Sequence, residues 1–183
     1  MRRYVYGTMV ALMATTLAIT LGAQKTTTVH PGKGGSPHVR SEWTVDGAAI
    51  SIEYGRPSLK GRTVGKDVAA YGKPWRTGAD EATTLKTDKP LKFGTLAVPA
   101  GTYTIYTLPR EDAFTLIVNE ATDVFHTVYD PGRDFGHVPT TRTTLEGPPV
   151  EQLTFVIAPR RGGGGTLELV WDDRKYGVEV GQP

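Results

Sequence analysis

The stretch Ser41-Glu42-Trp43-Thr44-Val45-Asp46-Gly47-Ala48-Ala49-Ile50-Ser51-Ile52-Glu53-Tyr54 decides the fold class. Asp46-Gly47 parts two runs of alternating character. Both residues of such a turn accept positive φ, so the pair predicts a two-residue hairpin. Ile50, Ile52 and Tyr54 fall on one strand face, and Ser51 and Glu53 on the other. One apolar and one polar face belong to an antiparallel sheet with a single wet side.

The same grammar continues toward the C-terminus. Thr83 to Thr87, Leu91 to Phe93, Thr95 to Val98, Thr102 to Leu108 and Ala113 to Asn119 read as strands. Pro99-Ala100-Gly101 and Pro109-Arg110-Glu111-Asp112 punctuate them as turns. In the run 102–108, Tyr103 and Ile105 share one face while Tyr106 and Leu108 share the other, which predicts a central strand. Phe114, Leu116 and Val118 make the next inward row. Thr140 to Leu145, Gln152 to Ala158, Gly165 to Trp171 and Lys175 to Val180 complete the set, and Asp172-Asp173 joins the last two as a hairpin. Leu167, Leu169 and Trp171 alternate cleanly, and the run Gly162 to Gly165 reads as a hairpin loop. With 22 Gly, 13 Pro and no helical periodicity after Ala23, the expectation is an all-β antiparallel β-sandwich. It has about ten short strands and two long irregular loops, in one domain over residues 38–183.

Toward the N-terminus the character changes. Arg2-Arg3, an uncharged and mostly apolar Val5 to Leu21, and the small residues of Leu21-Gly22-Ala23 predict a secretory signal over 1–23. An uncleaved anchor is the alternative, since the segment is about long enough to span a bilayer. Residues 24–37 read as a flexible linker, with His30 solvated. The chain has no Cys, which excludes a lipoprotein anchor and disulfides and leaves the core alone to hold the fold. Of 21 Lys and Arg, Arg2 and Arg3 lie in the signal, leaving 19 against 19 Asp and Glu. A mature charge near zero removes the electrostatic case for nucleic-acid or anionic-membrane partners. A periplasmic or secreted protein without a membrane span after cleavage is therefore expected.

Two irregular stretches carry the chemistry. Gly55 to Arg76 holds Arg56, Lys60, Arg62, Lys66, Lys73 and Arg76 against Asp67 alone, and so long an irregular segment in a compact domain is often functional. Ala121 to Gly136 is the second. The region from Glu111 to Asp134 is acidic (Glu111, Asp112, Glu120, Asp123, Asp130, Asp134), with Arg133 the only cation. Arginine forks suit oxyanions, and complementary charge also allows the two stretches to dock on each other. Tyr71, Trp75, Tyr129 and Phe135 offer either a stacking platform or a pin for the loops. His38, His126 and His137 lack metal-motif spacing, so neither metal nor cofactor is expected. Ser36 near His38 has no nucleophile elbow or oxyanion element beside it. Asp80 and Glu81 are adjacent and would face opposite ways on a strand, against a paired acid/base role. One is expected to cap a turn at Gly78, the other to pair with a cation such as Arg76.

Tyr54-Gly55-Arg56-Pro57, Lys60-Gly61-Arg62, Trp75-Arg76-Thr77-Gly78-Ala79-Asp80-Glu81-Ala82-Thr83 and Pro99-Ala100-Gly101-Thr102-Tyr103-Thr104-Ile105-Tyr106 occur in that order, followed by Val118-Asn119. Together they resemble the bacterial domain-of-unknown-function 2911 family from about Ser36 to Val180. The resemblance implies an exported bacterial protein and brings no established activity. Asp80 stands where the family's run usually has Asn, and Phe125-His126 where Trp-Gly is usual.

The resulting expectation is a non-catalytic binding module of the bacterial cell envelope for a small anion or glycan. Arg56, Arg62, Tyr71, Trp75, Arg76, Asp80 and Glu81 are its candidate ligand-binding residues. The alternative is an envelope-associated hydrolase using Asp80 or Glu81 with a histidine or metal. Ligand identity, strand order and oligomeric state are not written in these patterns.

Overall fold

The computed structural model describes residues 24–122 and 128–183. The expected signal over 1–23, and Asp123, Phe125 and His126, lie outside the described residues. The fold is all-β. Its strands are β1 (Lys25–His30), β2 (His38–Val45), β3 (Ala48–Gly55), β4 (Thr84–Thr87), β5 (Leu91–Phe93), β6 (Leu96–Val98), β7 (Gly101–Pro109), β8 (Phe114–Asn119), β9 (Asp134–Pro139), β10 (Thr141–Thr144), β11 (Val150–Pro159), β12 (Gly165–Asp172) and β13 (Arg174–Gly181). A seven-stranded antiparallel sheet runs β1-β2-β3-β4-β7-β8-β9, and a six-stranded one runs β11-β12-β13-β5-β6 with β10 also on β13. The two form the expected sandwich. Among the described residues, no helix is long and apolar enough to cross a membrane.

Local chemistry explains the frame. Asp46 and Gly47 take φ of 50° and 78°, so the β2–β3 hairpin forms at the anticipated turn, with Val45 opposite Ala48. Asp172 does the same at φ 59° for β12–β13. The inward rows meet between the layers. Tyr54 and Phe155 pack edge to face at 4.9 Å, and the Phe155 N–H donates to the Tyr54 hydroxyl at 3.1 Å. Phe114 and Tyr176 stack at 3.8 Å. Strand β7 lies inside its sheet between β4 and β8, with Tyr103, Ile105 and Tyr106 all buried, as its two apolar faces predict. Tyr106 is covered on its outer side by Tyr129, ring centroids 4.9 Å apart.

Two expectations are corrected. Residues 24–37 are not a plain linker, because they contain β1, antiparallel to β2 with Lys25 opposite Glu42 and His30 opposite His38. The strand lacks an apolar row because it is an exposed edge, held by its ladder and by polar contacts such as Thr26 Oγ1 to Ser41 Oγ at 3.0 Å. The second irregular stretch is shorter than read, because Asp134 to Gly136 open β9.

The excursion over residues 56–83 joins two neighbouring strands, β3 and β4, by a detour across the open end of the sandwich. It first touches the six-stranded sheet, where the Leu59 N–H donates to Glu151 O at 3.0 Å and the Leu153 N–H to Pro57 O at 3.1 Å. It returns along β7, where Trp75 and Thr107 exchange backbone bonds of 2.8 Å. Leu59, Val64 and Ala69 are buried in the main core. The excursion is therefore a docked cap with its own apolar anchors.

Candidate functional site

The cap encloses a concavity of about 180 Å³. Its lining includes Arg62, Trp75, Arg76, Gly78, Ala79 and Trp171. Trp75 and Trp171 lie parallel, 5.6 Å between centroids and 10° between planes. Trp171 comes from β12, where the sequence shows it only as one of an alternating row with Leu167 and Leu169. Its contact with Trp75 joins the two sheets' contributions to one wall. Its indole N–H donates to Glu151 O at 3.1 Å, which fixes the ring.

Arg76 is the unsatisfied member. Its Nε is buried without a hydrogen-bond partner, and Arg76 forms no ion pair among the described residues. A buried, unpaired donor costs about 1–3 kcal/mol, so a fold keeps one where something else supplies the acceptor. Arg62 also lines the concavity but spends two donors on its own loop, Nε to Leu59 O at 3.0 Å and Nη2 to Ser58 O at 2.7 Å. Between Arg76 and Gly78 sits Thr77, fully buried with φ 57°. A β-branched residue in the left-handed region stores about 1–3 kcal/mol of strain. Its hydroxyl donates to Trp75 O at 3.1 Å, and its carbonyl accepts from Thr83 Oγ1 at 3.1 Å. The wall beside Arg76 is strained at Thr77 and tied by these hydrogen bonds, as in preorganised sites.

The other expected residues go elsewhere. Arg56 binds β11, through Nε to Leu153 O at 3.1 Å and Nη2 to Thr154 Oγ1 at 2.7 Å. Tyr71 is 37% exposed, lies on Gly65 and accepts from Arg174 Nη1 at 3.3 Å. Neither lines the concavity. Asp80 and Glu81 turn away from it, and neither the turn at Gly78 nor Arg76 is their partner. Asp80, at φ 58°, accepts the Lys33 N–H at 2.8 Å. Left-handed backbone favours Asn and Asp among non-glycine residues, so an amide or a carboxylate suits this position. Glu81 faces two histidines: Oε2 is 3.2 Å from His38 Nδ1 and Oε1 is 3.5 Å from His30 Nε2. His30 is half-exposed, stacked on His38 at 4.8 Å with 2° between planes, and is not the solvated residue anticipated.

Among the described residues, the basic stretch does not dock on the acidic one through ion pairs: none joins a cation of 56–76 to an acid of 111–134. Asp134 and Asp130 serve their own loop. Asp134 accepts from Tyr129 Oη at 2.5 Å and from Asn119 Nδ2 at 2.7 Å, with His137 Nε2 at 2.7 Å. Asp130 caps a short 3-10 turn over Pro131–Arg133 through the Gly132 N–H. Burial first, then the bond to Asp134, pushes the Tyr129 phenol above its ordinary range. The four aromatics accordingly divide. Trp75 stacks on Trp171 and Tyr71 lies near Arg174, whereas Tyr129 meets Tyr106 and Phe135 meets Tyr103.

Residues 36–180 match a family described as Protein of unknown function (DUF2911). No curated protein and no solved structure matches the chain.

Proposed function

The chain belongs to the DUF2911 family, and on that premise we propose that it is an exported, non-catalytic binding module of the bacterial cell envelope that takes a small anion. The observation that carries this reading is Arg76: a buried guanidinium Nε with no acceptor, in a concavity walled by the Trp75–Trp171 pair. Arg62 adds a second cation at the rim. A guanidinium beside an indole face suits an oxyanion attached to a flat or ring-shaped body. The volume, about 180 Å³, is below the roughly 300–1,000 Å³ of drug-sized sites. That favours inorganic phosphate, a small carboxylate or one acidic sugar ring over a longer glycan. Of the residues first considered, Arg62, Trp75 and Arg76 carry the site, while Arg56, Tyr71, Asp80 and Glu81 hold its frame or face another way.

Calorimetric titration with inorganic phosphate, sulfate, acetate and glucuronate tests the reading. Saturable binding of at least one, weakened tenfold or more by Arg76→Ala and by the rim variant Arg62→Ala, supports it. Binding weakened by neither variant, or by no probe at millimolar concentration, sinks it.

One observation favours the hydrolase as a second reading: Glu81 lies beside His38 and His30. Asp80 drops out of it because its carboxylate is engaged by Lys33. Release of nitrophenol from nitrophenyl esters or phosphates, abolished by Glu81→Gln, would favour it over binding alone.

A further inference from the structure

The second cluster of chemistry-bearing residues lies on the other side of the same loop. His38 opens β2 and is 3% exposed, yet its Nδ1 is buried without a hydrogen-bond partner. Glu81 Oε2 is 3.2 Å from that nitrogen, close enough for an ion pair although the angles do not make a hydrogen bond. Behind the ring, Nε2 lies 3.4 Å from Glu53 Oε1. Glu53 is itself fixed by Arg40, whose Nε and Nη2 reach its Oε2 at 2.9 and 2.6 Å. In the tautomer with its proton on Nε2, His38 sets an unprotonated Nδ1 3.2 Å from the Glu81 carboxylate. Two acceptors at that distance repel unless a positive charge sits between them.

His30 completes the group. Its pairing position opposite His38 brings Nε2 to 3.5 Å from Glu81 Oε1. The three donor atoms lie within 4.8 Å of one another. Two imidazoles and one carboxylate form the donor set of open, four-coordinate zinc sites, with one position left for solvent or ligand. A carboxylate behind a ligating histidine, here Glu53, is the usual outer partner.

We propose that His30, His38 and Glu81 bind a divalent cation of the zinc class. Two of the three donors lie within the family match, and the third comes from β1, outside it. Loading requires a local change. Parallel rings cannot both aim at one ion, and the Gly32 N–H now donates to His30 Nδ1 at 3.1 Å, so Nε2 carries the proton of the neutral ring. His30 must tilt and give up that bond, moving the proton to Nδ1. β1 is the exposed edge of its sheet, so no further strand holds His30 on its outer side.

The test is a titration of the purified, chelator-stripped protein with Zn²⁺ and Co²⁺, followed by calorimetry, by Co²⁺ ligand-field absorption and by histidine NMR. Expected are one equivalent bound, a tetrahedral-type Co²⁺ spectrum and shifts confined to His30 and His38. His30→Ala and Glu81→Gln, both at half-exposed side chains, should each weaken binding tenfold or more without unfolding the domain. Glu53→Gln should weaken it by about tenfold. If the two histidines titrate with protons yet neither Zn²⁺ nor Co²⁺ perturbs them, or if His30→Ala binds as the parent does, the proposal fails. The outcome does not depend on whether Arg76 binds an anion.

Discussion

The carboxylate of Asp80 accepts the backbone N–H of Lys33 at 2.8 Å, so a residue of the β3–β4 excursion holds the turn between β1 and β2. The bond is one of several that tie the N-terminal hairpin to the cap. Lys60 Nζ reaches Gly34 O at 3.0 Å, and the Arg56 N–H donates to Pro37 O at 2.8 Å.

Asp80→Asn should therefore be nearly silent, within about 0.5 kcal/mol, because an amide oxygen accepts the same N–H and Asn tolerates φ 58° at least as well. Asp80→Ala should cost about 1–2 kcal/mol through the lost bond and the left-handed backbone. That corresponds to a melting point lower by about 2–8 °C. Faster amide exchange at Lys33 in the alanine variant alone would tie the loss to this contact.

The Trp75–Trp171 pair should show a coupling of about 0.5–1.5 kcal/mol in a double-mutant cycle built from Trp75→Leu and Trp171→Leu. Urea denaturation of the four proteins measures it. Additive losses would mean that the rings merely coexist, and the aromatic wall of the concavity would lose its energetic basis.

How far these relationships could be read in the sequence depends on their range. The hairpins at Asp46-Gly47 and Asp172 were legible because turn chemistry is local. Strand β7 was legible because two apolar faces leave few alternatives. The strand Lys25-Thr26-Thr27-Thr28-Val29-His30 was not, since an edge strand exposed on both faces carries no apolar period to detect. Missing it hid the His30–His38 pair, which is a cross-strand neighbour and matches no helical ligand spacing. Trp75 and Arg76 stand among the candidates because the irregular stretch concentrates charge and aromatic area. Their partner Trp171 was hidden in an ordinary strand row. Charge complementarity misled, because Arg56 and Arg62 satisfy their forks on backbone carbonyls and a threonine hydroxyl, not on carboxylates.

Tyr129 should make stability fall at high pH. Its phenol is held above the ordinary value by burial and by donation to Asp134. The folded chain thus keeps a proton that the unfolded chain gives up near pH 10. The contribution is complete below about pH 10 and is lost as pH rises through the raised value, since the unfolded state then binds fewer protons than the native one. Tyr106, Tyr103 and Tyr176 are raised by burial too, so Tyr129→Phe should flatten the slope without abolishing it. Urea unfolding at pH 8 to 11 measures the difference. Equal slopes in parent and variant would show that the Tyr129–Asp134 bond carries no such linkage.

Gly55→Ala isolates the close approach on which the cap depends. Gly55 ends β3 and its φ is not in the left-handed region, so alanine brings no backbone strain there. A Cβ at this position would stand 2.1 Å from the carbonyl oxygen of Ala79, whose N–H in turn donates to Gly55 O at 3.3 Å. The methyl group meets the backbone of Ala79 in the cap, so no flexible side chain can swing aside. The segment from Gly78 to Glu81 has to move as a unit. The expected cost is about 1–3 kcal/mol or somewhat more, as for overpacking. Because Ala79 lines the concavity and Glu81 faces the histidines, phosphate uptake and Co²⁺ binding should both weaken in the folded fraction. A variant as stable as the parent with both affinities intact would mean that Gly55 and Ala79 are not in contact, and that the two sides of this loop are not set by one strand end.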